Sequence, residues 1–202
     1  MRPITLKVRG LNSYTDEQAV DFETLTADGI FGIFGPTGSG KTTVIDAITL
    51  ALYGRVPRHK GTEMEFVNPA GLGVYIFFKF SFDNEIYTIE RTYKKKTSAE
   101  GRFVASDSAA RLFGADQKAV AEGKAVTRWV EQQTGLTYEN FTRVVVLPQG
   151  EFGNLLTLSG EKVGEMLQDI FRLHKYGEAL KKNIDKRRDK HRIQIRLRLV
   201  PE

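Results

Sequence analysis

Hydrophobic and polar residues alternate in "ITLKVRG" (4–10) and again in "QAVDFE" (18–23), which predicts two strands joined by a polar turn. "GIFGIF" (29–34) is apolar almost throughout and predicts a third, more fully buried strand that runs straight into a glycine-rich loop. In "KTTVIDAITLALYG" (41–54) the period lengthens to that of a helix, with Val44, Ile45, Ile48 and Leu52 as its apolar face and Gly54 at its end. Alternation returns in "GVYIFFKFSF" (73–82) and "EIYTIERTY" (85–93), around "DN", and predicts a hairpin. "RFVAS" and "AARLF" (102–113) extend it into an antiparallel meander, with "KKKTSAEG" (94–101) as a loop. A helix is expected in "AVTRWVEQQTG" (125–135), with Thr137 capping a short one after it. "RVVVLPQG" (143–150) predicts a short buried strand stopped at Pro148. Two helices are expected over about 151–157 and 160–173, and then a long charged segment.

Composition narrows the class. The 202 residues suffice for one core and an appendage. There is no cysteine, hence no disulfide scaffold and no thiolate metal site. No long apolar run predicts a signal peptide or a membrane span. The net charge of +5 is uneven. Residues 175–198 hold ten Lys/Arg and three Asp/Glu, a net of +7, which leaves −2 for the rest. Such a basic tail suits either a solvated helix face or contact with nucleic acid.

Gly35, Gly40, Lys41 and Thr42 complete the pattern G-x-x-x-x-G-K-[ST], with Pro36, Thr37, Gly38 and Ser39 between. The glycines let the backbone curl so that amide groups meet phosphate oxygens. Lys41 offers a point charge to the outer phosphates, and the Thr42 hydroxyl suits a Mg²⁺ that bridges them. The helix beginning at Lys41 adds its positive end. A nucleoside triphosphate is therefore expected, though the pattern does not name its base or use. The parts that would hydrolyse it are harder to find. Asp83 reads as a turn residue. Ser159 in "LTLSGEK" (156–162) reads as a helix cap, because no apolar strand ending in Asp-Glu follows it. "KNID" (182–185) lies in a charged helix, the wrong context for a guanine-reading motif.

Three segments together resemble the SbcC family of SMC-like ABC ATPases. They are "LKVRGLNSYTDEQAVDF" (6–22), "GIFGIFGPTGSGKTTVIDAITLALYGRVPR" (29–58) and "TGLTYENFTRVVVLPQGEF" (134–152). The resemblance implies an α/β P-loop NTPase fold, the N-terminal lobe of an ABC-type head with an antiparallel sub-sheet and the start of a coiled-coil helix. It implies a head segment over 1–174 and a coil start or linker over 175–202. It also implies that Gly35 through Thr43 wrap the phosphates of ATP, with Thr43 near the α-phosphate. Gln149 is the implied Q-loop glutamine, reaching Mg²⁺ and the γ-phosphate. Asn12 and Ser13 would lie near the base and ribose. Two features depart from the family: Lys162 stands where an arginine is usual, and "HRIQIRLRLVPE" (191–202) alternates at period two rather than as a coil.

For function, the resemblance implies an ATPase subunit of a complex with the nuclease SbcD, acting on double-stranded DNA ends and hairpins in the cytoplasm. A C-terminal half would complete each head, and ATP would clamp two heads together. The alternatives are an SMC- or RecF-like tethering ATPase and a free-standing P-loop kinase with "RVPRHKG" (55–61) as its lid.

Overall fold

A computed structural model of the chain describes residues 1–26, 29–57, 66–97, 103–146, and 184, 187 and 188. The chain divides into two compact units, Met1–Gln149 and Gly150–Glu202. In the second, residues 184, 187 and 188 are helical. The remaining elements belong to the first.

Six strands form one sheet: β1 (Arg2–Arg9), β2 (Gln18–Asp21), β3 (Gly73–Phe82), β4 (Glu85–Thr97), β5 (Phe103–Phe113) and β6 (Ala119–Glu122). Their order is β2-β1-β3-β4-β5-β6, and every neighbouring pair is antiparallel. The alternation places Leu6, Val8, Ile76, Phe78, Ile89 and Leu112 on one buried face. Register carries the opposite face across the sheet as Ala19, Lys7, Phe77, Glu90, Arg111 and Glu122. Asp83 and Asn84 both take positive φ, 52° and 65°, the requirement of a tight primed hairpin turn. The turn reading of Asp83 stands.

Two longer helices pack on the buried face, α2 (Lys41–Tyr53) and α3 (Lys124–Thr134). A one-turn α1 (Phe22–Leu25) follows β2, launched by the Asp21 carboxylate, which accepts from the amides of Glu23 and Thr24. The strand expected over 18–23 therefore stops at Asp21. A further turn, α4 (Tyr138–Phe141), begins where expected: the Thr137 hydroxyl accepts from the Asn140 amide. Gly54 and Gly135 end α2 and α3 in the left-handed conformation. A ladder of rings, Phe78, Phe80, Tyr87 and Trp129, ties β3 and β4 to α3, with successive centroids 5.3, 6.0 and 4.6 Å apart.

Four expectations change. Residues 29–34 are not a strand, and Ile30 and Phe34 are 86% and 92% exposed. A strand needs backbone partners, and among the described residues none pairs with this segment. Residues 94–97, with their three lysines, are strand rather than loop, pairing with 103–106 after a bulge at Tyr93/Lys94. Ladder bonds use only the backbone, so charged side chains are tolerated where they reach solvent. Residues 143–146, expected to begin a buried strand, lie instead in a π-helical turn, Thr142–Val146, that continues α4. The Thr142 hydroxyl donates back to the carbonyls of Tyr138 and Glu139, both at 3.0 Å, which holds the chain in the helical path. Residues 147–150 lie outside the described residues, as do the helices expected after them. Lastly, of the expected α2 face Val44 and Leu52 are buried in the core, where Ala47, Leu50 and Ala51 join them, while Ile45 and Ile48 are only half-buried. The edge strand β6 was not expected.

Candidate nucleotide-binding site

The glycine loop lies on the surface ahead of α2, with residues 35–39 exposed and Gly40 buried. Gly40 is the residue before the helix and takes φ +89°, with no side chain capping the first turn. The Lys41 and Thr42 amides at the start of α2 therefore keep their donor capacity for a ligand, and the helix dipole adds positive potential there. Gly35 has its own constraint: a Cβ there would lie 2.9 Å from Ser39 Oγ. The loop closes through the Ser39 amide, which donates to the Pro36 carbonyl at 3.3 Å.

Lys41 folds back along this loop. Its Nζ donates to the carbonyls of Gly35 and Pro36 at 2.8 and 2.7 Å. A cation parked on neutral carbonyls can transfer to phosphate oxygens, which bind it more strongly. The Thr42 side chain is exposed at the helix start and Thr43 is buried. Uncapped amides, a lysine ammonium and an exposed hydroxyl are the donor set that a Mg²⁺-bound polyphosphate requires, and the chemistry fits. Thr42 would hold the metal. Among the described residues, no group of three or more His, Asp or Glu side chains could form a metal site by itself.

The turn between β1 and β2 meets the loop from the side. Asn12 sits at φ 47°, and its Nδ2 donates to Asp46 Oδ2 of α2 at 3.1 Å. Its amide donates to the Phe66 carbonyl at 2.8 Å, and its carbonyl accepts from Asn68 Nδ2 at 2.6 Å. Asn12 thus joins three segments of the fold, and Ser13 beside it is exposed. The Tyr14 hydroxyl donates to the Gly40 carbonyl at 2.9 Å. Pro148 and Gln149 lie outside the described residues.

Tyr14, Asp46 and Arg91 were not singled out from the sequence. Asp46 had a signal, being a carboxylate among the apolar residues of "VIDAI". Arg91 had one too, since it alternates in step with the inward-facing Ile89 and Tyr93. Tyr14 lay in a polar turn and had none. Arg55, at the start of the possible lid, pairs with Glu139 at 3.3 Å and lies 5.3 Å from the Tyr138 ring centroid. A cleft of about 630 Å³ there, bounded by Tyr53, Arg55, Thr127 and Tyr138, contains none of the loop residues.

The AAA domain family matches residues 5–198, and the chain belongs to it. Within that family it stands with the SbcC proteins, to which it is similar along nearly its whole length. The SbcC protein of the nuclease SbcCD from Bacillus subtilis (strain 168) is 42% identical over 194 residues, covering 91% of this chain and 16% of that protein. The probable DNA double-strand break repair Rad50 ATPase of Aquifex aeolicus (strain VF5) is 32% identical over 196 residues, covering 94% and 19%. The chain thus spans less than a fifth of the length of these relatives. Among solved structures, an SMC head domain from Thermotoga maritima is similar at a TM-score of 0.43 and 20% identity, covering 87% of this chain and 73% of that one. Among the described residues no helix is long and apolar enough to cross a membrane.

Proposed function

We propose that this chain is the ATP-binding half of an SbcC-type head. Gly35–Thr43 hold the phosphates, Thr42 and Gln149 reach Mg²⁺, and Lys41 with Gln149 supports hydrolysis. Asn12 and Ser13 lie at the nucleoside end of the site. The observation that carries the reading is the Lys41 ammonium resting on the Gly35 and Pro36 carbonyls ahead of an uncapped helix. These are the parts a polyphosphate binds, in a chain 42% identical to an SbcC protein.

The exposed stretch Ile30–Phe34 supports a second element of the proposal. Apolar side chains this open, just ahead of the loop, suit a surface that another piece of protein covers. In this reading the C-terminal half of the same head covers it and brings the missing hydrolytic groups. Two completed heads then close on ATP and part on hydrolysis, which gates an SbcD-like nuclease at double-stranded ends and hairpins. The nuclease docks on the coil start, within 175–202. Duplex DNA is steered by Lys94, Lys95 and Lys96 on the β4–β5 ribbon and by the basic tail.

The test is titration of the chain with Mg–ATP by calorimetry. Saturable binding is expected in the native chain and none in Lys41→Ala, with the far-ultraviolet spectrum unchanged. Equal affinity in the two would overturn the assignment of the loop.

A further inference from the structure

We propose that Tyr14 is a positioning residue for the phosphate loop, whose hydroxyl, acting through the Gly40 carbonyl, aims the Lys41 amide at the bound polyphosphate. The inference rests on the nucleotide-binding reading and deepens it.

The geometry begins at the Gly40 carbonyl, which accepts two hydrogen bonds. One comes from the Thr43 amide at 2.9 Å and the other from the Tyr14 hydroxyl at 2.9 Å. Both lone pairs are thus directed. The described residues contain no cis peptide bond. In a trans peptide the C=O and the following N–H point in opposite directions. Fixing the Gly40 oxygen toward Tyr14 and the helix interior therefore turns the Lys41 N–H the other way, out of the helix start and toward the loop. An amide so fixed needs no reorientation when the ligand arrives, which is the condition for strong preorganised binding.

The ring itself holds Gly40 in place. A Cβ on Gly40 would lie 2.4 Å from Tyr14 Cε1 and 2.9 Å from its Cζ. Only glycine lets the tyrosine come this close, and only glycine takes φ +89° without strain. Tyr14 is in turn anchored away from the loop. Its amide donates to the Leu11 carbonyl at 2.9 Å, and Leu11 is buried and bridged to Val67. Asn12, two residues before, is tied to Phe66, Asn68 and Asp46. The sheet end thus fixes the tyrosine, and the tyrosine fixes the loop. A phenol keeps its proton at neutral pH, and burial raises that of Tyr14 further above its usual value.

The experiment compares the native chain, Tyr14→Phe and Lys41→Ala with two ligands, Mg–ATP and Mg–tripolyphosphate, which has neither base nor ribose. Tyr14→Phe keeps the ring and deletes the hydroxyl. It is expected to weaken both ligands by the same factor, about three- to ten-fold, the range for one lost hydrogen bond. The ¹⁵N–¹H resonance of Lys41 reports the aim of the amide. Its shift on adding tripolyphosphate is expected to fall substantially in Tyr14→Phe, which a loss of general stability would not produce. Weakened ATP with tripolyphosphate unchanged would place Tyr14 against the nucleoside and overturn the proposal. Unchanged affinity for both ligands, or an unchanged Lys41 shift, would overturn it as well. If Lys41→Ala leaves tripolyphosphate binding intact, the phosphate-loop reading itself fails, and that outcome is distinguishable from failure at Tyr14 alone.

Discussion

Arg91 Nε, on β4, donates to the Ala51 carbonyl near the end of α2 at 2.6 Å. The same buried guanidinium reaches the Leu52 carbonyl at 3.2 Å and Thr127 Oγ1 of α3 at 2.9 Å. Its charge meets the negative end of the helix dipole and lies beside the Tyr93 hydroxyl. One side chain therefore locks the sheet, α2 and α3 together. Arg91→Ala is expected to lower stability by about 2–4 kcal/mol, because several buried acceptors lose their donor at once. Arg91→Lys should recover only part, since an ammonium cannot span the same fork of acceptors. Urea denaturation checks this, and a loss under about 0.5 kcal/mol for Arg91→Ala would count against it.

Asn12 supplies a second, separable expectation. Asn12→Ala removes the donor to Asp46 and leaves an alanine at φ 47°, where a left-handed backbone costs a non-glycine residue more than asparagine. The nucleotide-free chain should lose about 1–3 kcal/mol in the same denaturation experiment. A residue that served only the nucleoside would change affinity and leave this value alone.

Tyr53 gives a pH dependence. Burial raises its phenol from the usual 10.0 to about 12, and its hydroxyl donates to the Leu136 carbonyl at 3.0 Å. The folded state thus holds the proton more tightly than the unfolded one. This contribution is full below pH 10 and is lost as pH rises from 10 through about 12. The denaturation midpoint of the native chain should fall more steeply across that interval than that of Tyr53→Phe. Parallel profiles would contradict the assignment.

The exposed apolar stretch can be tested apart from the fold. Ile30→Ser with Phe34→Ser should change the stability of the chain by no more than about 0.5 kcal/mol, as surface substitutions do. Association with a separately expressed C-terminal half, followed by sedimentation, should weaken at least ten-fold. Unaltered association would place the contact elsewhere.

What the sequence made legible was local. The β3–β4 hairpin, the Thr137 cap and the glycine end of α2 each depend on residues a few positions apart, and each appeared as expected. The glycine loop that leads into α2 was readable for the same reason. Residues 29–34 and 143–146 misled because an apolar run reports burial without saying what covers it. At 29–34 Phe31 meets the Phe22 ring while Ile30 and Phe34 stay open to solvent, and at 143–146 the helical path begun at Thr137 continues. The lysine ribbon misled in the other direction, since its pairing depends on backbone rather than side-chain character. The contacts that brace the loop, Tyr14 to Gly40 and Asn12 to Asp46, bridge 26 and 34 positions and have no local signature.

The measurement that bears most directly on the account is steady-state phosphate release from Mg–ATP. The 202-residue chain is expected to bind the nucleotide but turn it over barely above background. Lys41 and Thr42 can place phosphates and metal, yet no described cluster of carboxylates is available to finish the metal shell or polarise water. Because phosphoryl transfer rests on positioning and electrostatic stabilisation, losing those groups should remove most of the rate. Adding the C-terminal half should restore hydrolysis, with a rate that climbs more steeply than linearly with protein concentration, and Gln149→Ala should then lower turnover more than affinity. Robust, concentration-independent turnover by the chain alone would contradict the half-head account.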